Sequence, residues 1–154
     1  MLPRIHFILS LFLAIILFYF FPIIGIFGAV IIFISGFLID VDHYIFYVFA
    51  EKDFNLKKAY NWFLIRGKEM RKLPIEERIK HKNEILFLHG IEPLILLLFL
   101  SLIWLPFIFI LIGFSFHLVL DVYDELRVGR KMDKISIIWD IIKYKKLKKL
   151  DFLK

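Results

Sequence analysis

The sequence contains no cysteine, so disulfides and thiolate metal sites are both excluded, and cysteine usage says nothing about redox compartment. It has no glycine-rich phosphate loop and no serine set in a nucleophile motif, which removes two common routes to phosphoryl and acyl chemistry. Charge is also missing over long stretches. Ile5–Phe21, Ile23–Ile39 and Phe107–Leu120 carry none, and Ile85–Leu105 carries only Glu92.

Apolar side chains fill those stretches. The chain has 154 residues, of which 60% are hydrophobic and 18% aromatic, with a mean hydropathy of +0.77. Soluble domains are roughly 45–50% apolar. A bilayer core of about 30 Å takes about 20 helical residues, with about 17 as the lower limit. The first two runs sit at that limit, the third reaches it only if His89 and Glu92 lie inside it, and the fourth is shorter. The reading is an all-α polytopic membrane protein with four transmembrane helices whose ends dip into the interface. A soluble, fully buried helical bundle is the rival, and run length disfavours it. The N-terminal run resembles a signal peptide, but no small-residue cleavage site follows it, so it reads as a retained first helix.

Two connections are very short, "FFPII" and "IWLPF", and each carries a helix-breaking proline, Pro22 or Pro106. Neither holds a charge. The 51–84 loop holds ten Lys or Arg, the segment after Asp121 holds ten more, and Arg4 precedes the first run. All 21 basic residues therefore fall on one face of a four-span bundle, and an excess of Lys and Arg marks the cytoplasmic side. This predicts a multi-pass protein of the cell membrane, two helical hairpins joined by a charged cytoplasmic loop, with both termini cytoplasmic. Residues 1–126 form the membrane domain, and 127–154 form a basic tail. Ile135, Ile138, Trp139 and Ile142 fall at helical spacing in that tail, which suits an amphipathic helix on anionic lipid; a solvated basic tail is the alternative. The loop, where basic residues alternate with aromatics, suits one or two further amphipathic helices. The positive-inside rule accounts for the lysines, so no nucleic-acid partner is expected.

This topology gathers the polar residues. His6 falls at the cytoplasmic start of the first helix, and Asp40, Asp42 and His43 at the end of the second. His89 and Glu92 open the third, and His117 and Asp121 close the fourth. Ionisable groups in membrane segments usually face one another or a wet cavity. Asp40 and His43, His89 and Glu92, and His117 and Asp121 are spaced by three or four, which puts each pair on one helical face. Alone, each has a bland reading: His6 as an interfacial residue, Asp40 or Asp42 as a helix cap, His81 as a surface residue. Together they make a mixed nitrogen and oxygen set suited to a divalent metal, zinc first, with manganese or iron(II) as alternatives. Asp42 or Glu92, if not committed to metal, is the expected general base. A metal-free, hydrogen-bonded polar cluster is the competing reading.

At these residues the chain resembles a known group. "GFLIDVDHYIF", "FLHGIEPLILLL" and "GFSFHLVLDVYDE" are similar to motifs of the membrane-bound, metal-dependent hydrolase-like family of bacterial and archaeal inner-membrane proteins. The resemblance implies metal ligands at His6, Asp40, Asp42, His43, His89, His117 and Asp121. It also implies a hydrolase. Position at the headgroup level points to a membrane lipid as partner and to a phosphate or ester as substrate. The alternative is a non-enzymatic membrane protein that keeps a metal-binding or purely structural cluster. A channel or metal transporter ranks behind both, because the outer half of the helices offers no polar path.

Overall fold

The computed structural model describes residues 3–78, 86–127 and 136–144. Among them there are helices and turns and no strand. The first helix, α1, is Pro3–Phe20, and a short 3-10 turn at Pro22–Ile24 leads into α2, Gly25–Leu38. Gly25 has φ +62°, a left-handed value that favours glycine, and it lets the chain reverse between α1 and α2. α2 continues through Ile39 and Asp40, both in helical dihedrals, into α3, Val41–Glu51. α3 extends the apolar run beyond its predicted end at Ile39, so Pro22–Glu51 forms one 30-residue apolar segment.

Among the described residues, three segments are long and apolar enough to cross a membrane: Pro3–Phe20, Pro22–Glu51 and Pro106–Arg127, the last forming α7. The run Ile85–Leu105 is different. Residues 86–90 are irregular, the helix α6 covers only Ile91–Ser101, and 102–105 is a turn. Eleven residues rise about 16 Å, well short of a bilayer core. The expected fourth full-length span is therefore replaced by a short apolar helix that packs on α7.

Small residues draw the long helices together. The buried stripe of α1 is His6, Ser10 and Ala14; that of α2 is Gly28, Ala29, Ile32, Ser35 and Gly36; that of α7 is Gly113 and His117. Large side chains would hold the backbones apart, whereas small ones permit the close approach on which membrane-helix packing relies. A Cβ added at Gly113 would lie 2.6 Å from the Ile32 carbonyl oxygen and 2.8 Å from the Gly36 nitrogen. Outward faces carry the bulk instead, with Ile23, Phe49, Phe99 and Ile103 exposed. Apolar surface on that scale marks contact with lipid or protein rather than water.

The basic loop folds back as expected, giving α4, Leu56–Lys72, and a single turn, α5, Ile75–Arg78. Asn55 caps α4, its side chain accepting from the Lys58 N–H at 3.0 Å. Asp53 braces the preceding turn, accepting from the Asn55 N–H, the Tyr47 hydroxyl and the Lys58 ammonium. Lys58 holds that carboxyl below its ordinary range, so the brace is complete at neutral pH and is lost as acid protonates Asp53. Trp62 packs against Phe46 and Tyr47, which lays α4 along α3 and brings Phe63 to 5.2 Å from the His43 ring. The last described element, α8, is Ile137–Tyr144, with Ile138, Trp139 and Ile142 exposed as an amphipathic pattern requires. His81, Ile135 and the lysine cluster after residue 144 lie outside the described residues.

Candidate metal centre

Six of the eight expected site residues meet in one cluster. α1 supplies His6 on the same buried stripe as Ser10. The joint between α2 and α3 supplies Asp40, and His43 follows in the first turn of α3. Asp40 occupies the N-cap position without using its side chain to cap, which leaves its carboxylate for other partners. The irregular 86–90 segment supplies His89, and α7 supplies His117 and Asp121 one turn apart. His6, His89 and His117 are almost wholly buried.

Four atoms form the centre of this cluster. Asp40 Oδ1 lies 3.5 Å from His89 Nε2 and 3.5 Å from His117 Nε2, and Asp121 Oδ2 lies 3.4 Å from each of the same two nitrogens. His89 Nε2 and His117 Nε2 are buried and make no hydrogen bond among the described residues. Zinc–ligand bonds of about 2.0–2.1 Å in a tetrahedron place neighbouring donor atoms about 3.3–3.4 Å apart. These four His–Asp distances match that spacing. Two further imidazoles flank it: His6 Nε2 stands 3.1 Å from Asp121 Oδ1, and His43 Nδ1 stands 3.4 Å from Asp40 Oδ1. His6 stacks on His117 with ring centroids 3.9 Å apart. Among the described residues, three overlapping groups have donor atoms close enough to share an ion: His6, Asp40 and His117; Asp40, His43 and His89; His89, His117 and Asp121.

The other ring nitrogens are held by a backbone carbonyl that the sequence did not reveal and by Asp42, for which it suggested another role. His117 Nδ1 donates to the Gly36 carbonyl at 2.8 Å, which turns Nε2 inward. The close contact of Gly113 with α2 brings that carbonyl within reach, and the small pair Ser35–Gly36 is its only trace in the sequence. His89 Nδ1 lies 3.0 Å from Asp42 Oδ2, and the same oxygen accepts from the Leu88 N–H at 2.9 Å. Asp42 is buried and belongs to none of the three groups. Its place differs from the expected ligand or general base: it is a carboxylate that orients His89, as carboxylates often orient histidines at metal sites.

Glu92 is also placed away from the cluster. Its carboxylate accepts from the Ser136 hydroxyl at 2.5 Å and from the Ile137 and Ile138 N–H groups at 3.1 and 3.3 Å. It thus caps α8, where a negative charge suits the helix N-terminus, and α8 seats Ile137 against Gly90. The expected general base is instead a latch. Glu92→Gln should leave metal content unchanged while loosening α8, seen as faster amide hydrogen exchange over 136–144. Loss of metal in that variant would return Glu92 to the site. Neither a protein-family model, nor a curated protein, nor a solved structure matches the chain.

Proposed function

We propose that the chain is a membrane-embedded, metal-dependent hydrolase acting on a phosphate or ester at the cytoplasmic headgroup level. The observation that carries this reading is the shell of Asp40, His89, His117 and Asp121, whose donor spacing suits a zinc-sized ion. Manganese and iron(II) are compatible with the same donors. The short hairpin of α6 and α7 pairs with that of α1 and α2, and all four helices turn the same end toward the basic loop. That end is cytoplasmic by the positive-inside rule, with both termini on the same side. The hydrolase-like family resemblance of the motifs agrees with this assignment.

A bound divalent ion supplies a Lewis acid that polarises a phosphoryl or carbonyl oxygen and makes water nucleophilic near neutral pH. The chain's own residues do the rest. Asp42 and the Gly36 carbonyl fix the tautomers of His89 and His117, so that each ring presents Nε2 to the centre. Helix packing at Ser10, Gly36 and Gly113 excludes water from below. His43 is the most open imidazole of the cluster, with its side chain 25% exposed. It stands between Asp40 and Asp42 and against Phe63, where it is placed to accept a proton from an incoming nucleophile.

A metal-loaded preparation should hydrolyse a long-chain phosphoester or ester lipid, and the chelated protein should not. His43→Gln should keep its metal and lose roughly a hundredfold or more in turnover. Metal-loaded wild type that leaves both lipid classes intact would favour the second reading, a non-enzymatic protein held together by its cluster. That reading has its own support, since cluster residues come from α1, the α2–α3 joint, the 86–90 segment and α7, and tie all four together.

A further inference from the structure

Both hairpin turns are apolar throughout. Residues 20–25 read Phe-Phe-Pro-Ile-Ile-Gly, with Phe20, Phe21 and Ile23 exposed. Residues 102–105 present Leu102, Ile103, Trp104 and Leu105 as four exposed apolar side chains in a row. A turn that meets water is ordinarily built from Gly, Asn, Asp, Ser and Pro. Most backbone N–H groups of these turns are closed internally, as hydrocarbon favours, with those of Ile23 and Leu105 the exceptions among the described residues. The N–H groups of Phe21, Ile24, Gly25, Leu102, Ile103, Trp104, Phe107 and Ile108 all donate to carbonyls three or four residues back. Pro22 and Pro106 have no N–H to satisfy. The Ser101 hydroxyl, beside the second turn, donates to the Leu98 carbonyl at 2.6 Å.

Depth supplies a second, independent observation. From the cluster to the turns, α1, α2, α6 and α7 each rise about 16 to 22 Å at about 1.5 Å per residue. The hydrocarbon core is about 30 Å thick. If the turns reached the far boundary, the whole His/Asp cluster would be sunk below the near one by the difference. Ionisable side chains resist such burial strongly, whereas a bilayer adjusts to an apolar mismatch at modest cost. The cluster therefore stays at the near boundary, and in a core of about 30 Å that has not thinned locally the turns fall short of the far one. Tyr19 and Trp104 are the turns' remaining side-chain donors, and their polar tips can reach toward the far headgroups while the backbone stays below.

We propose that both hairpins enter the bilayer from the basic face and end inside it, so that the protein offers no surface to the far side. The partner of the two turns is acyl chain, and the cluster serves only the leaflet from which it enters. Substrate and product then share one leaflet, and no path leads across the membrane. This rests on the membrane placement of the helices and not on the hydrolase reading.

A cysteine-free chain makes the test direct. Single cysteines replace Ile23 and Ile103 at the two turns, and Lys57 on exposed α4 as a control, in membrane vesicles of both orientations. A membrane-impermeant maleimide should label Lys57→Cys from one side. It should label Ile23→Cys and Ile103→Cys roughly tenfold less or lower from either side, with all three reacting in detergent. Nitroxides attached at the two turns should collide with oxygen and not with a water-soluble nickel chelate. Labelling of either turn from the side opposite Lys57, or collision with nickel there, means that the hairpin emerges and overturns the proposal. Labelling of the turns from the same side as Lys57 overturns it too, because the hairpins would not be inserted.

Discussion

Protein purified in detergent should carry at least about one equivalent of a divalent metal, and replacing His117 and Asp121 together by alanine should empty it. The double change removes two of the four central donors and breaks two of the three overlapping groups, leaving Asp40, His43 and His89. Affinity should fall by about three orders of magnitude or more, since structural metal sites draw their binding energy from a complete shell. Elemental analysis reads the content directly. A second readout guards against simple misfolding. Chelation should lower the thermal midpoint of wild type, because the ligands come from segments far apart in the chain, and should leave the double variant's midpoint where it is. Wild type that stays metal-free after incubation with excess zinc, manganese or iron(II) would remove the metal centre. The cluster would then be an internal polar knot.

Gly113→Val should be the most damaging single change outside the cluster. Even a lone Cβ there runs into the Ile32 carbonyl and the Gly36 nitrogen, and neither is the movable end of a flexible side chain. α2 and α7 must separate, and the Gly36 carbonyl retreats from His117 Nδ1 as they do. Overpacking costs about 1–3 kcal/mol where side chains can yield, and contact with backbone lies at or above the upper end of that range. Thermal unfolding in detergent should fall accordingly, and metal content should fall with it. Gly67 in α4 is the matching control. An added Cβ there meets only the Arg71 guanidinium at 3.6 Å, so Gly67→Ala should be neutral or stabilising by up to about 1 kcal/mol. Equal damage at both positions would mean that the α2–α7 contact is not what positions the site.

The cluster was legible because the sequence sets its polar residues at the ends of apolar runs. His6, Asp40, His43, His89, His117 and Asp121 had to share a depth once the runs were laid side by side, and six side chains at one depth in four packed segments have few places to go. Spacing failed where a helix was assumed and none exists. His89 and Glu92 are three apart, which places them on one face only within a helix; α6 begins at Ile91, so His89 lies ahead of it and Glu92 turns the other way. The uninterrupted apolar run from 85 to 105 likewise hid the irregular 86–90 segment and the turn at 102–105. Asp42 could be located but not assigned, because its decisive partner is the amide of Leu88, forty-six positions along the chain. Backbone partners carry no sequence signature, and the Gly36 carbonyl went unseen for the same reason.

The stacked pair His6 and His117 has a consequence for how the protein is made. His6 leaves the ribosome well ahead of His117 and Asp121, which follow only after α2 to α6 and the basic loop have been synthesised. Through most of translation the early half of the site waits with its histidines and aspartates uncommitted, and an ion caught there would be held by a partial set. Closure of the centre by α7 is therefore the last step in gathering its side chains, and an ion held at full strength would certify that every earlier segment had found its place. Truncated or misinserted chains would fail that inspection by holding their ion loosely, which gives quality control a chemical mark to read.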